Sequence, residues 1–160
     1  MEIFGALSVV TVVATGLICN RIKPFRKLKY IYPALSSYGI EKETAMVFNV
    51  GLWLATAFLV IFTLQVMYLP LFVVAVGIAG AMLIPLPKNV SGVQFYIHTG
   101  FAILAFGGII YGVYGYYGNW LLFFLSVVLG VVWFTTRSVL WIEAVFISLA
   151  LILVLRLTLG

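Results

Sequence analysis

Three polar side chains sit inside otherwise apolar runs: Asn49 in "VFNVGL", His98 in "YIHTGF" and Glu143 in "WIEAVF". An imidazole can donate or accept at neutral pH, a carboxylate accepts or carries a proton, and a primary amide does both. Together they have the chemistry of a polar headgroup, ion or proton site. An acid inside hydrocarbon costs up to about 2.5–3.5 kcal/mol and is normally partnered. His98 is the expected partner of Glu143, with Arg137 and Lys88 as further cations. The same residues also fit a hydrogen-bonded clasp between helices, and both readings stand at this point.

Composition says what carries these groups. Of the 160 residues, 65% are hydrophobic and only 8% are charged. Soluble domains average roughly 45–50% apolar and about 25% charged, so the chain is expected to be an integral membrane protein. Six spans are predicted, at about residues 3–20, 44–67, 70–84, 94–117, 120–136 and 138–159, forming one all-α six-helix transmembrane bundle. A basic loop covers 21–43. The first apolar stretch opens with Glu2 and outruns a signal-peptide core, so it is expected to stay as a helix.

The spans put the three polar residues at one height. Helices 2, 4 and 6 enter from the same face, and Asn49, His98 and Glu143 each follow their helix start by four or five residues. At about 1.5 Å per residue they lie about 6–8 Å below that face. One polar pocket is therefore expected, with Gln94 and Arg137 at its mouth and Ser36 in a covering "YPALSS" segment.

The basic residues set an expected orientation. Arg21, Lys23, Arg26, Lys27, Lys29 and Lys42 lie in the first loop, Lys88 in the third and Arg137 in the fifth. The positive-inside rule then places loops 1, 3 and 5 in the cytoplasm and both termini outside. Arg21, Lys23, Arg26, Lys27 and Lys29 alternate with apolar residues, as in a segment lying on anionic lipid headgroups. Pro24 and Pro33 bar a continuous helix there. Membrane lipids are the expected partners, other membrane subunits are a second possibility, and nucleic acid is not expected.

Several chemistries are excluded by residue inventory. No Lys lies within a predicted span for a retinal Schiff base. One His cannot ligate haem from both sides, and there is no phosphate-binding glycine loop or ladder of Arg. One Cys and few acids give no expected metal site, and no cofactor is expected. Ser36 or Ser37 with His98 and Glu143 has the residue types of a hydrolase triad, but no nucleophile elbow accompanies them. No catalytic residue is assigned, and lipid hydrolase or transferase activity remains the weakest alternative. Gly108, Gly112 and Gly115 share one face of helix 4, with Gly77 and Ala81 a smaller version on helix 3. Internal packing is the expected use of both, ahead of a homodimer seam.

The order Pro33, "LSSYG" (with Ser36 and Gly39), "VFNVGL" (Phe48, Asn49, Gly51), Pro85, His98 and Glu143 resembles the six-span family called domain of unknown function 998. That family is itself similar to damage-regulated autophagy modulators and GPI-anchor remodelling proteins. The resemblance implies a six-span fold and a shared pocket, and no reaction. Two features differ from the family pattern. Ala144 follows Glu143 where Arg is common, and the basic charge sits in the Ser-Gly loop rather than at the N-terminus.

Overall fold

The computed structural model describes residues 3–24, 35–84, 92–120, 124–125, 127–129, 131 and 139–159. Among them there is no strand. Helix α1 is Ile3–Ile22, α2 is Ala45–Val66, α3 is Leu69–Leu83, α4 is Val93–Tyr117 and α5 is Val139–Leu159. A short 3₁₀ helix, Leu35–Gly39, lies between α1 and α2. The helix α5 corresponds to the sixth predicted span. Of the fifth, only the helical positions 120, 124–125, 127–129 and 131 are described, and Leu125 among them is buried. Arg26, Lys27, Lys29, Lys88 and Arg137 lie outside the described residues.

By length and composition, α1, α2 and the 93–115 part of α4 can each cross a membrane. Their outward surfaces agree with that solvent. Leu17, Ile18, Trp53, Leu54, Leu64 and Ile103 are all large, apolar and exposed. A water-soluble bundle would turn such residues inward, because exposed apolar patches on soluble monomers stay small.

Local chemistry fixes the turns. Met67 ends α2 in the left-handed region (φ 51°), and its N–H caps Thr63 O. Tyr68 then starts α3, with Pro70 in the first turn, where a missing N–H costs nothing. The connection is only two residues long, so α2 and α3 pack as antiparallel neighbours. At the end of α4, Gly118 takes φ 69°, and its N–H caps Tyr114 O.

Inside, close backbone approaches replace hydrophobic driving force, as lipid-embedded helices require. A Cβ on Gly77 would lie 2.5 Å from the backbone N of Ala105, so α3 and α4 touch there. Gly108 faces Pro70 O at 2.9 Å and Gly112 faces Leu153 of α5 at 2.7 Å, on the same measure. The glycine stripe of α4 is thus used within the bundle. Gly51 of α2 receives the side chain of Thr15 from α1, and Ser8 Oγ donates to Ala55 O at 2.9 Å. Tyr68 Oη donates to Gly112 O at 2.8 Å. The main core gathers Phe62, Leu71, Val113, Phe146 and Leu153 from α2 to α5.

Candidate functional site

The first loop ends in a built cover. Ser37 and Tyr38 of the 3₁₀ helix are almost fully buried, and Tyr38 packs with Cys19 of α1 and Phe48 of α2. Tyr38 Oη donates to Asn20 Oδ1 at 3.2 Å, and burial pushes the phenol above its ordinary value, keeping it a donor. Thr44 Oγ1 donates to Tyr38 O at 2.8 Å, tying the cover to the start of α2. A Cβ on Gly39 would meet the Phe48 ring at 3.1 Å and Asn49 Oδ1 at 3.3 Å, so a glycine lets the cover lie against α2.

An ionic latch holds the rim. Lys23, just past α1, bonds Glu41, and its ammonium lies 3.3 Å from Glu43. The Glu41 hydrogen bond raises the Lys23 pKa. A hydrogen bond from its own backbone, followed by the Lys23 bond, lowers that of Glu43. Lys23, expected from the sequence among the headgroup contacts, is also paired within the protein. Arg21, by contrast, is exposed at the end of α1.

Beneath this cover lies a cavity of about 590 Å³. Ser36, Asn49, His98 and Glu143 all line it, brought there by the cover, α2, α4 and α5 respectively. Gln94 is exposed and does not line it: one turn above His98, it stands clear of the walls. Arg137 falls outside the described residues.

The internal bonding corrects one expectation. Among the described residues, no ion pair joins His98 to Glu143. His98 Nδ1 instead lies 2.9 Å from Ala81 O and 2.7 Å from Ile84 O. Both partners are carbonyls and can only accept, so Nδ1 carries a proton and donates to them. The physical reason is the early end of α3, whose last carbonyls have no helical partner and need a donor from outside. Glu143 Oε2 accepts the backbone N–H of Leu35, which fastens the cover to α5. Nor do Ser36, His98 and Glu143 form a triad: no hydrogen bond links them, and the imidazole is oriented by carbonyls rather than by a carboxylate.

Below the polar end the walls turn apolar. Ala102, Phe106 and Ile109 continue the His98 stripe down α4, while Phe146, Ala150 and Val154 continue the Glu143 stripe down α5. Phe106 and Phe146 stack at 4.2 Å between centroids and 14° between planes. From His98 to Ile109, as from Glu143 to Val154, is eleven residues, or about 16 Å of helix rise. These apolar wall residues were not picked out from the sequence. Their spacing of three, four, seven, eight and eleven from the polar residues was the available signal.

A second cavity of about 400 Å³ opens between α1 and α5, lined by Gly16, Leu17 and Ser148 among others. Leu35 and Glu143 belong to the walls of both cavities, so their hydrogen bond forms part of the partition.

The chain matches no family model, no curated protein and no solved structure.

Proposed function

We propose that this chain is a six-span membrane protein that holds a membrane amphiphile in the covered cavity. The polar head would lie between Ser36, Asn49, His98 and Glu143, and the apolar portion would run down the stripes of α4 and α5. One observation carries this reading: Ser36, Asn49, His98 and Glu143, from four separate elements, line one cavity whose walls are otherwise mostly apolar. Its volume of about 590 Å³ falls inside the range of roughly 300–1,000 Å³ usual for small-molecule sites. Binding rather than catalysis is favoured, because His98 and Glu143 are bonded to backbone and not to one another.

The basic first loop would face the cytoplasm, where Arg21, Arg26, Lys27 and Lys29 would meet anionic headgroups. The family resemblance is compatible with this reading and does not carry it. His98 would also serve the fold, since its Nδ1 binds two carbonyls of the α3 end. An accessory subunit using the polar residues as a clasp is the competing whole-protein reading.

The test is thermal unfolding of delipidated protein in nonionic detergent, titrated with total membrane lipid extract. A ligand bound only by the folded state raises the midpoint by mass action. The rise is expected in the wild type and not in Ala150→Phe, which fills the apolar part of the cavity. An equal rise in both would mean lipid acts at the outer surface, and the reading would fail.

A further inference from the structure

Resting on that reading, we infer that the second cavity is the port of the first: the amphiphile enters sideways from the bilayer, between α1 and α5, past a gate made by Leu35 and Glu143. The two helices touch at one end and part at the other. A Cβ on Gly5 would lie 2.7 Å from Val154 Cγ1, so α1 and α5 are in contact there. Gly16 stands eleven residues further along α1, about 16 Å of helix rise. Among the described residues, the one atom within 4 Å of a Cβ on Gly16 would be Leu35 Cδ1, at 3.6 Å. Leu35 of the cover thus sits as a wedge where the helices part. The second cavity, of about 400 Å³, occupies that gap, with Gly16 and Leu17 on its α1 wall and Ala144 and Ser148 on its α5 wall. Leu17 and Ser148 are exposed, which sets the mouth at the outer surface of the bundle.

The wall between the cavities is one residue thick. Val12 of α1, Leu35 of the cover, and Glu143 and Ile147 of α5 line both. Three of these are apolar side chains, which change rotamer without giving up a hydrogen bond. Glu143 is fastened through Oε2, which accepts the Leu35 N–H. A carboxyl oxygen can accept there with or without its own proton, so the gate does not depend on the charge of Glu143.

The way through the cover is closed more firmly. Ser37, Tyr38 and Thr44 are buried, and Thr44 Oγ1 donates to Tyr38 O. Tyr38 Oη donates to Asn20, and Lys23 bonds Glu41 at the rim. A tail taking that path would also leave hydrocarbon for water. A tail passing between α1 and α5 keeps apolar surroundings throughout.

The test follows exchange by native mass spectrometry. The full-length chain, in mixed micelles of nonionic detergent, is given total lipid extract from cells grown in deuterated medium. Loading of the delipidated chain and loss from the loaded chain are timed separately by the mass shift. Gly16→Phe and Ser148→Phe narrow the port from opposite walls, and neither residue lines the first cavity. Each is expected to slow loading and loss alike, at least about tenfold, with final occupancy unchanged, because a gate sets rates and not the end states. Gly107→Phe, at a position on α4 with nothing within 4 Å, should exchange as the wild type does. Glu143→Ala, which frees the Leu35 N–H, should quicken loading at least about threefold, and Glu143→Gln, which keeps an acceptor, should not. Loss of a head contact alone would quicken loss and leave loading as it was.

Exchange indifferent to both port variants, or slowed as much by Gly107→Phe, would overturn the port and leave the cavity reading standing. So would slowing by Ile103→Trp alone, which would move entry to the exposed α4 wall of the first cavity. Occupancy lost in Gly16→Phe and Ser148→Phe would make the second cavity part of the binding site rather than its port. A wild-type chain that takes up no deuterated lipid would overturn both readings.

Discussion

Replacing His98 with Ala removes the donor on which the end of α3 depends. In the native chain Nδ1–H is shared between Ala81 O and Ile84 O, at 2.9 and 2.7 Å, and the ring is buried. A buried acceptor that loses its partner costs about 1–3 kcal/mol. Inside membranes, interhelical hydrogen bonds average nearer about 0.6 kcal/mol, with about 1.7 at the upper end. Two carbonyls share one proton here, so a loss of about 1–2 kcal/mol is expected. In a chain of this size that corresponds to a fall in the unfolding midpoint of about 2–8 °C. The assay is reversible unfolding in mixed micelles, followed by helical circular dichroism. His98→Gln should recover part of the loss, since its amide can donate to one of the two carbonyls. A loss below about 0.3 kcal/mol, or Gln no better than Ala, would refute the role given to Nδ1.

Three further perturbations separate the parts of the fold. Gly108→Ala places a methyl 2.9 Å from Pro70 O and Val74 Cγ2, whereas Gly107→Ala meets nothing within 4 Å. The first should destabilise by about 1–3 kcal/mol and the second by no more than about 0.5, measured by the same unfolding assay. Glu143→Ala orphans the N–H of Leu35 and should speed amide exchange there at least about tenfold, while Glu143→Gln, which keeps an acceptor, should not. The rim latch should depend on pH at both extremes. The Glu43 pKa lies below its ordinary 4.5, so its contribution is present above that value and disappears as pH falls through the lowered one. The Lys23 pKa lies above its ordinary 10.5, so its contribution is present below that value and disappears as pH rises through the raised one. Exchange at 39–44, corrected for intrinsic rates, should be steady between these limits and quicken beyond them. Unchanged protection in acid would remove the latch.

How much of this was readable beforehand depends on which coordinate is asked for. Height along a helix follows from residue count, and it put Asn49, His98 and Glu143 near one end of the bundle before any side chain was seen. The glycines of α4 likewise announced a close approach, since only packing drives association in lipid. Partners were less legible. Reasoning by residue type pairs His98 with Glu143, because opposite charges attract. It does not see the carbonyls left open where α3 stops ahead of "PLP". The partners of Lys23 were hidden for a similar reason. Its neighbours in sequence are basic, and the acids that hold it, Glu41 and Glu43, come from the far side of the cover. The apolar stripe beneath the polar residues could have been found by following each one down its own helix face.

The most direct measurement is native mass spectrometry of the protein released gently from its own membrane, with wild type and Ala150→Phe compared side by side. The account predicts that the wild type carries one amphiphile per chain, of a single class, and that the filled variant carries none. Equal lipid on both proteins, or a stoichiometric protein partner with an empty cavity, would contradict it.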